Sequence, residues 1–167
     1  MFFEKIFKAL NENDVKYLVI GGAAVNLHGY VRVTYDLDLF IALDELNIKK
    51  FANAMKTLNF KPKIPVEIEE LGDSKKREQW IKEKNMKVFS LVDIDTDDII
   101  DIMIMDYLQF NESYKEKKVV RIKDIEIPLA SIKDIIKLKE VAGRAKDIID
   151  LKVLLEIQER LSNEKQK

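Results

Sequence analysis

Apolar residues along the chain fall into blocks whose spacing changes, and each change marks an element. Phe2, Phe3, Ile6, Phe7 and Leu10 recur at helical steps before Asn11 to Asp14 supplies a turn. Tyr17 to Ile20 is an unbroken apolar run of strand length that stops at Gly21-Gly22. Good helix formers from Ala23 to Leu27 predict a helix closed by His28-Gly29. Val33 to Ile41 alternates, which predicts a strand with Asp36, Asp38 and Phe40 on one face and Leu37, Leu39 and Ile41 on the other.

Asp44 is placed to cap a helix running to about Leu58, where Leu46, Phe51, Ala52, Met55 and Leu58 keep helical spacing. Pro62 and Pro65 break the pattern, and Asp73 or Ser74 starts another helix through Trp80 and Ile81. Met86 to Val92 and Asp98 to Met105 read as strands around a turn at Asp93 to Asp97, and Val119 to Ile122 with Ile125 to Leu129 reads as a hairpin. Ser131 to about Leu161 is helical, either continuous or broken near Gly143, and the end from Asn163 to Lys167 is expected to fray. Helices thus alternate with strands, which specifies an α/β (α+β) protein: a mixed sheet with flanking helices and a helical C-terminus.

Composition narrows the classes. The 167 residues suit one domain over 1–167, with a core at about 15–129 and a helical segment at about 131–161. A formal net charge of -1 argues against a protein that grips nucleic acid by bulk charge. With 0 Cys there is no disulfide, thiolate metal site or Cys nucleophile, which fits a cytoplasmic protein. Met1 to Lys5 lacks the pattern of a secretory signal, no apolar run reaches membrane-spanning length, and the abundance of charge hints at a thermophilic source.

The chemistry concentrates between Tyr17 and Ile41, where a strand, a Gly-Gly turn and a helix lead into a strand with two carboxylates. Residues two apart on a strand share a side, so Asp36 and Asp38 form a paired oxygen site of the kind Mg²⁺ accepts together with water and phosphate. Unpaired acids in a dry interior would be costly, which favours a cleft. Phosphate-loop, dinucleotide, zinc and serine-hydrolase motifs are absent from the sequence.

This stretch resembles the nucleotidyltransferases of the DNA-polymerase-β-like superfamily, whose signature is a strand ending in Gly-Gly or Gly-Ser followed, about a dozen residues on, by Asp-x-Asp. Here fourteen positions separate Gly22 from Asp36. The resemblance implies that Gly21 and Gly22 let the backbone approach nucleotide phosphates, although Gly22 stands where many relatives carry a phosphate-binding Ser. It also implies a third carboxylate on a neighbouring strand, for which Asp101, set among Ile99, Ile100, Ile102 and Met103, is the candidate. Asp36, Asp38 and Asp101 would then hold two Mg²⁺ or Mn²⁺ ions, with a nucleoside triphosphate as substrate.

Arg32-x-Thr34-x-Asp36-x-Asp38, with Lys139 and Ala142-Gly-Arg-x-Lys-Asp-Ile-Ile-Asp-Leu151, further resembles the AbiEii-type toxin nucleotidyltransferases. That implies nucleotide contacts from Arg32, Thr34, Lys139 and Lys146, with Asp147 orienting a lysine or assisting deprotonation of the acceptor. It also implies transfer to a hydroxyl of tRNA, protein or a small molecule, and a cognate antitoxin as partner. On one continuous helix Lys139, Gly143, Lys146 and Asp150 fall in a narrow stripe with Asp147 at its edge.

Plainer readings stand beside these. Asp36 and Asp38 fit an exposed edge strand, Asp101 an ion-paired core acid, and Lys139, Arg144, Lys146, Asp147 and Asp150 a solvated helix face. His28 caps or packs and Trp80 belongs to the core. Two rival functions follow: a catalytically silent nucleotide-binding regulator or antitoxin, favoured by the missing Ser, and a structural Ca²⁺ domain, disfavoured by the lack of an Asp-rich loop with a central Gly.

Overall fold

Apolar faces at the predicted spacings meet in one seven-stranded sheet. The structure is a computed structural model that describes residues 3–164; Met1, Phe2 and residues 165–167, part of the first helix face and of the C-terminal end, lie outside it. Helix α1 (Glu4–Glu12) precedes β1 (Tyr17–Val19), α2 (Gly21–Leu27), β2 (Asp36–Ile41) and α3 (Glu45–Thr57). Then come β3 (Phe60–Pro62), a 3-10 turn (Ile68–Gly72), α4 (Ser74–Lys84), β4 (Val88–Asp93) and β5 (Ile99–Met103). Helix α5 (Phe110–Lys115), the hairpin β6 (Lys118–Ile122) and β7 (Ile125–Leu129), and helices α6 (Ile132–Ala142) and α7 (Ala145–Glu164) complete the chain.

The strands order as β3-β4-β5-β2-β1-β7-β6. Strand β2 runs antiparallel to β1 and parallel to β5, so the two central strands that carry acids point the same way. Leu37, Leu39 and Ile41 are fully buried, as are Ile100 and Ile102 beside them, and these fix the face on which the alternate residues must lie. Caps set helix boundaries: the Asp44 carboxylate accepts from Asn47 N, and that of Asp73 from Lys75 N and Lys76 N. No helix among the described residues is long and apolar enough to cross a membrane.

Several expectations are corrected. The strand predicted from Val33 begins at Asp36; Val33 and Tyr35 alternate as a strand would, but their side chains are exposed and the segment has no sheet partner among the described residues. Pro62 ends the short strand β3, tolerated because β3 is an edge where no further neighbour needs its missing N–H. The short helix α5 went unpredicted; Phe110 anchors it edge-on to Phe40, with ring centroids 5.1 Å apart. Gly143 adopts a left-handed conformation (φ +59°) and its N–H bonds Lys139 O at 3.0 Å, so the C-terminal helix is broken in two. Trp80 is buried against Phe89, and the buried His28 donates Nε2–H to Ala130 O.

Candidate functional site

The parallel register of β2 and β5 puts Asp38 directly beside Asp101, and strand alternation puts Asp36 on the same face. One carboxylate oxygen from each lies within 4.8 Å of the others, and all three side chains are half-buried. The reading of Asp101 as an ion-paired core acid therefore gives way: it is half-buried and faces two other carboxylates. Its Oδ1 accepts a hydrogen bond from Ser90 Oγ on β4 at 2.5 Å, which holds the carboxylate in place.

Burial, reinforced by the charges of Asp36 and Asp101, pushes the Asp38 carboxyl up to about 6, while Lys139 and Arg144 act in the opposite sense. Three crowded acids of this kind repel one another until a cation joins them, and their oxygens fit the hard-ligand demands of Mg²⁺ or Mn²⁺. The donor set and its spacing thus suit the metal that the sequence implies.

The two glycines make room for side chains. A Cβ on Gly21, whose φ is +63°, would stand 1.9 Å from Asp38 Oδ2; on Gly22 it would stand 2.6 Å from Thr34 Oγ1 and 2.8 Å from Arg32 Nη2. The Gly-Gly turn thereby lets the Asp38 carboxylate settle against the end of β1. It also brings Arg32 and Thr34 over Gly22, into the space a larger residue there would claim. Thr34 Oγ1 reaches Asp36 Oδ1 at a long 3.4 Å.

The helical end is a chain of alternating charges. Arg32 Nε meets Asp150 Oδ1 at 3.0 Å, Asp150 Oδ2 meets Lys139 Nζ at 2.8 Å, Lys139 Nζ meets Asp147 Oδ1 at 2.8 Å, and Arg144 Nε meets Asp147 Oδ2 at 2.8 Å. Lys139, Asp147 and Asp150 are all buried, so the solvated-face reading fails for them. Burial raises the Asp147 carboxyl, but hydrogen bonds from Arg144 and Lys139 outweigh it and hold the group at about 2. The break at Gly143 creates this arrangement by folding the start of α7 back onto Lys139. Lys146 is exposed and stands apart from this chain, which corrects the single stripe expected of a continuous helix.

A cleft of about 410 Å³ opens over the acids, lined by Gly21, Asp36, Asp38 and Asp101, by Lys139 and Arg144, and by an apolar wall that includes Met103, Leu138 and Val141. Lys87 and Tyr107 also line it. Sequence reasoning misses these two and Ser90, because their places depend on the pairing of β4 with β5 and on the turn after β5. Ser90 alone left a trace, as a hydroxyl flanked by Val88, Phe89, Leu91 and Val92.

No family model matches the chain, nor does any curated protein sequence. Solved structures do. The complex of ANT(2″)-Ia with adenylyl-2″-tobramycin matches with a TM-score of 0.59 at 14% identity, over 92% of this chain and 85% of that one. The chain has the nucleotidyltransferase fold. The same fold is shared with lincomycin-bound LnuA, a lincosamide antibiotic adenylyltransferase (TM-score 0.58, 19% identity, 91% of this chain and 93% of that one). An antigenic nucleotidyltransferase-like protein from Paracoccidioides brasiliensis also matches (TM-score 0.54, 16% identity, 96% of this chain and 84% of that one). Within this nucleotidyltransferase fold, Asp36, Asp38 and Asp101 are the acids that the strands bring together.

Proposed function

We propose that this protein transfers a nucleoside monophosphate from a nucleoside triphosphate to a hydroxyl acceptor, releasing pyrophosphate. The observation that carries the reading is the convergence of three carboxylates from two parallel strands on one cleft of a nucleotidyltransferase fold. The acceptor oxygen bonds to the α-phosphorus, the bond from that phosphorus to the bridging oxygen breaks with its electron pair going to pyrophosphate, and the hydroxyl proton passes to water.

In this reading Asp36, Asp38 and Asp101 would together hold the two Mg²⁺ or Mn²⁺ ions. When bound, the ions neutralise the triphosphate and lower the barrier to losing the hydroxyl proton. Gly21 leaves Asp38 free to take up its position, and the Arg32 guanidinium over Gly22 supplies positive charge to the phosphates on that side. Lys139 and Arg144 add a field from the helical wall. Asp147 is a positioning residue: its oxygens are taken by Lys139 and Arg144, and a carboxyl held at about 2 is a poor proton acceptor at neutral pH. Most of the rate would come from alignment and charge complementarity.

The structural matches include ANT(2″)-Ia with adenylyl-2″-tobramycin and a lincosamide antibiotic adenylyltransferase, which makes a small-molecule hydroxyl an acceptor class beside tRNA and protein, and the AbiEii-like motifs keep a toxin role with a cognate antitoxin in view. The silent-regulator reading draws on Gly22 and on the full pairing of Lys139. Incubating the protein and Mg²⁺ with each α-labelled triphosphate and a total cell extract decides between them. Label should pass to an acceptor with wild type and not with Asp38→Asn; nucleotide binding without transfer from any triphosphate would mean a silent member.

A further inference from the structure

The end of the cleft farthest from Gly21 has no role in the scheme above, and its chemistry is distinctive. The strand order β4-β5-β2-β1 lays out a row: Lys87 just ahead of β4, Asp101 on β5, Asp36 and Asp38 on β2, and Gly21 just past β1. If the triphosphate lies over Gly21, Gly22 and Arg32, the far side of Asp101 is left to the acceptor. Of the three cations lining the cleft, Lys139 and Arg144 are paired with Asp147, whereas the Lys87 ammonium has no partner among the described residues. Its backbone is anchored, since Lys87 O accepts from Ile104 N at 3.3 Å. Val88, next in the chain and paired with Met103 across β4 and β5, lines the same cleft, as do Leu138 and Tyr107, so the cleft that holds the ammonium has an apolar wall.

We propose that Lys87 and Tyr107 form the acceptor subsite, and that the acceptor is a small phosphate ester: a flat body against Tyr107, a phosphate on Lys87 and its reactive hydroxyl turned toward Asp101. This rests on the transfer reading and names the substrate class for it. A free ammonium beside an apolar wall selects an anion with an apolar face, because a charge-assisted hydrogen bond there replaces water on one side only. Size is limited by the next hollow. Tyr107 also lines a cavity of about 540 Å³ where Asp106, Glu112, Glu116, Asp134 and Glu140 outnumber Lys133 and Lys137. A long polyanion continuing past Tyr107 would meet that negative lining, so the ester ends at Lys87.

The test is calorimetric titration of wild type and Lys87→Gln, both saturated with Mg²⁺ and a non-hydrolysable triphosphate analogue, using adenosine and adenosine 5′-monophosphate as probes. The monophosphate should bind wild type at least ~10-fold more tightly than adenosine, the usual worth of a hydrogen bond between charged groups. Lys87→Gln should bring the two within about twofold while leaving the analogue's own affinity within about twofold of wild type. The proposal is overturned if wild type does not prefer the monophosphate, if the preference survives in Lys87→Gln, or if the variant loses analogue affinity instead, which would move Lys87 to the triphosphate side. A wild type that binds no analogue at all fails the transfer reading itself, a separate result.

Discussion

The two ends of the cleft are held together by different forces. At the strand end, the main chain does the positioning: the register of β2 against β5 and the buried Leu37, Leu39, Ile100 and Ile102 leave Asp36, Asp38 and Asp101 no other face to occupy. At the helical end the positioning comes from side chains, through the charge chain that joins Arg32, Asp150, Lys139, Asp147 and Arg144. Main-chain register tolerates the loss of a side chain. A buried ion-pair chain does not, because each member's partner is then left charged in a poorly solvated place. Mutations should therefore separate the two ends: chemistry without stability at one, stability with chemistry at the other.

The largest effect is expected from Asp38→Asn. Transfer should fall by at least ~10³-fold, since several kcal/mol of charge stabilisation pass through this site. The metal-free variant should be at least as stable as wild type, because it removes one of three mutually repelling acids. The sign follows from the carboxyl held at about 6: a folded-state value raised above the unfolded one costs stability once both states would ionise. Metal-free wild type should thus lose on the order of 1–3 kcal/mol as pH rises from about 4 to beyond 6. Mg²⁺ should restore that loss in wild type and hardly in the variant. Thermal melts at several pH values with and without Mg²⁺ check this; equal Mg²⁺ shifts in both proteins would place the ion elsewhere.

Lys139→Ala is expected to do the reverse. With Nζ gone, the buried Asp147 loses one partner and Asp150 keeps only Arg32, which should cost about 3–5 kcal/mol of stability, as removal of one member of a buried pair does. Urea unfolding measures it, and a cost below about 1 kcal/mol would mean that the chain of pairs is not maintained in solution.

How much of this was legible in the sequence differs between the same two ends. The acids could be located because a strand's period of two is fixed by covalent geometry, so Asp36 and Asp38 had to share a face and Asp101 stood out among isoleucines. The face was readable, whereas the extent of β2 was not: Val33 and Tyr35 keep the alternation without sheet pairing. The helical end was ambiguous, since the choice between one helix and two turns on the conformation of a single residue, Gly143. One helix spreads Lys139 and Asp147 along a surface, and two helices put them 2.8 Å apart in the interior. Lys87 and Tyr107 depend on contacts between distant segments, which no local pattern encodes.

A smaller effect should appear at acid pH. Asp147 is held at about 2, below its unfolded value, so its contribution is present above about 4 and is lost as pH falls through 2. That contribution is about 2 kcal/mol. Wild type should therefore lose that much more stability than Asp147→Asn between about pH 4 and 2, seen as a steeper acid limb in pH-dependent urea unfolding. Parallel acid limbs would show that Asp147 titrates as it does in the unfolded chain.

The smallest effect is expected from Lys146→Ala, and it tests the comparison most closely. Lys146 adjoins Asp147 in sequence, within the motif that suggested nucleotide contacts, so motif reasoning gives it the same weight as Lys139. The structure separates the two: Lys139 is buried between two aspartates and lines the cleft, whereas Lys146 is exposed and has no ion-pair partner among the described residues. An exposed, unpaired lysine near a helix start contributes little, and Ala is the better helix former, so stability should stay within about 0.5 kcal/mol of wild type. Affinity for a magnesium-bound triphosphate analogue should also stay within about twofold. Calorimetric titration and urea unfolding of Lys146→Ala beside Lys139→Ala make the contrast direct. A ~10-fold loss of nucleotide affinity in Lys146→Ala would mean that α7 rotates or slides to bring this lysine over the phosphates when substrate binds. The helical end would then be a moving part of the site, in contrast to the fixed strands opposite it.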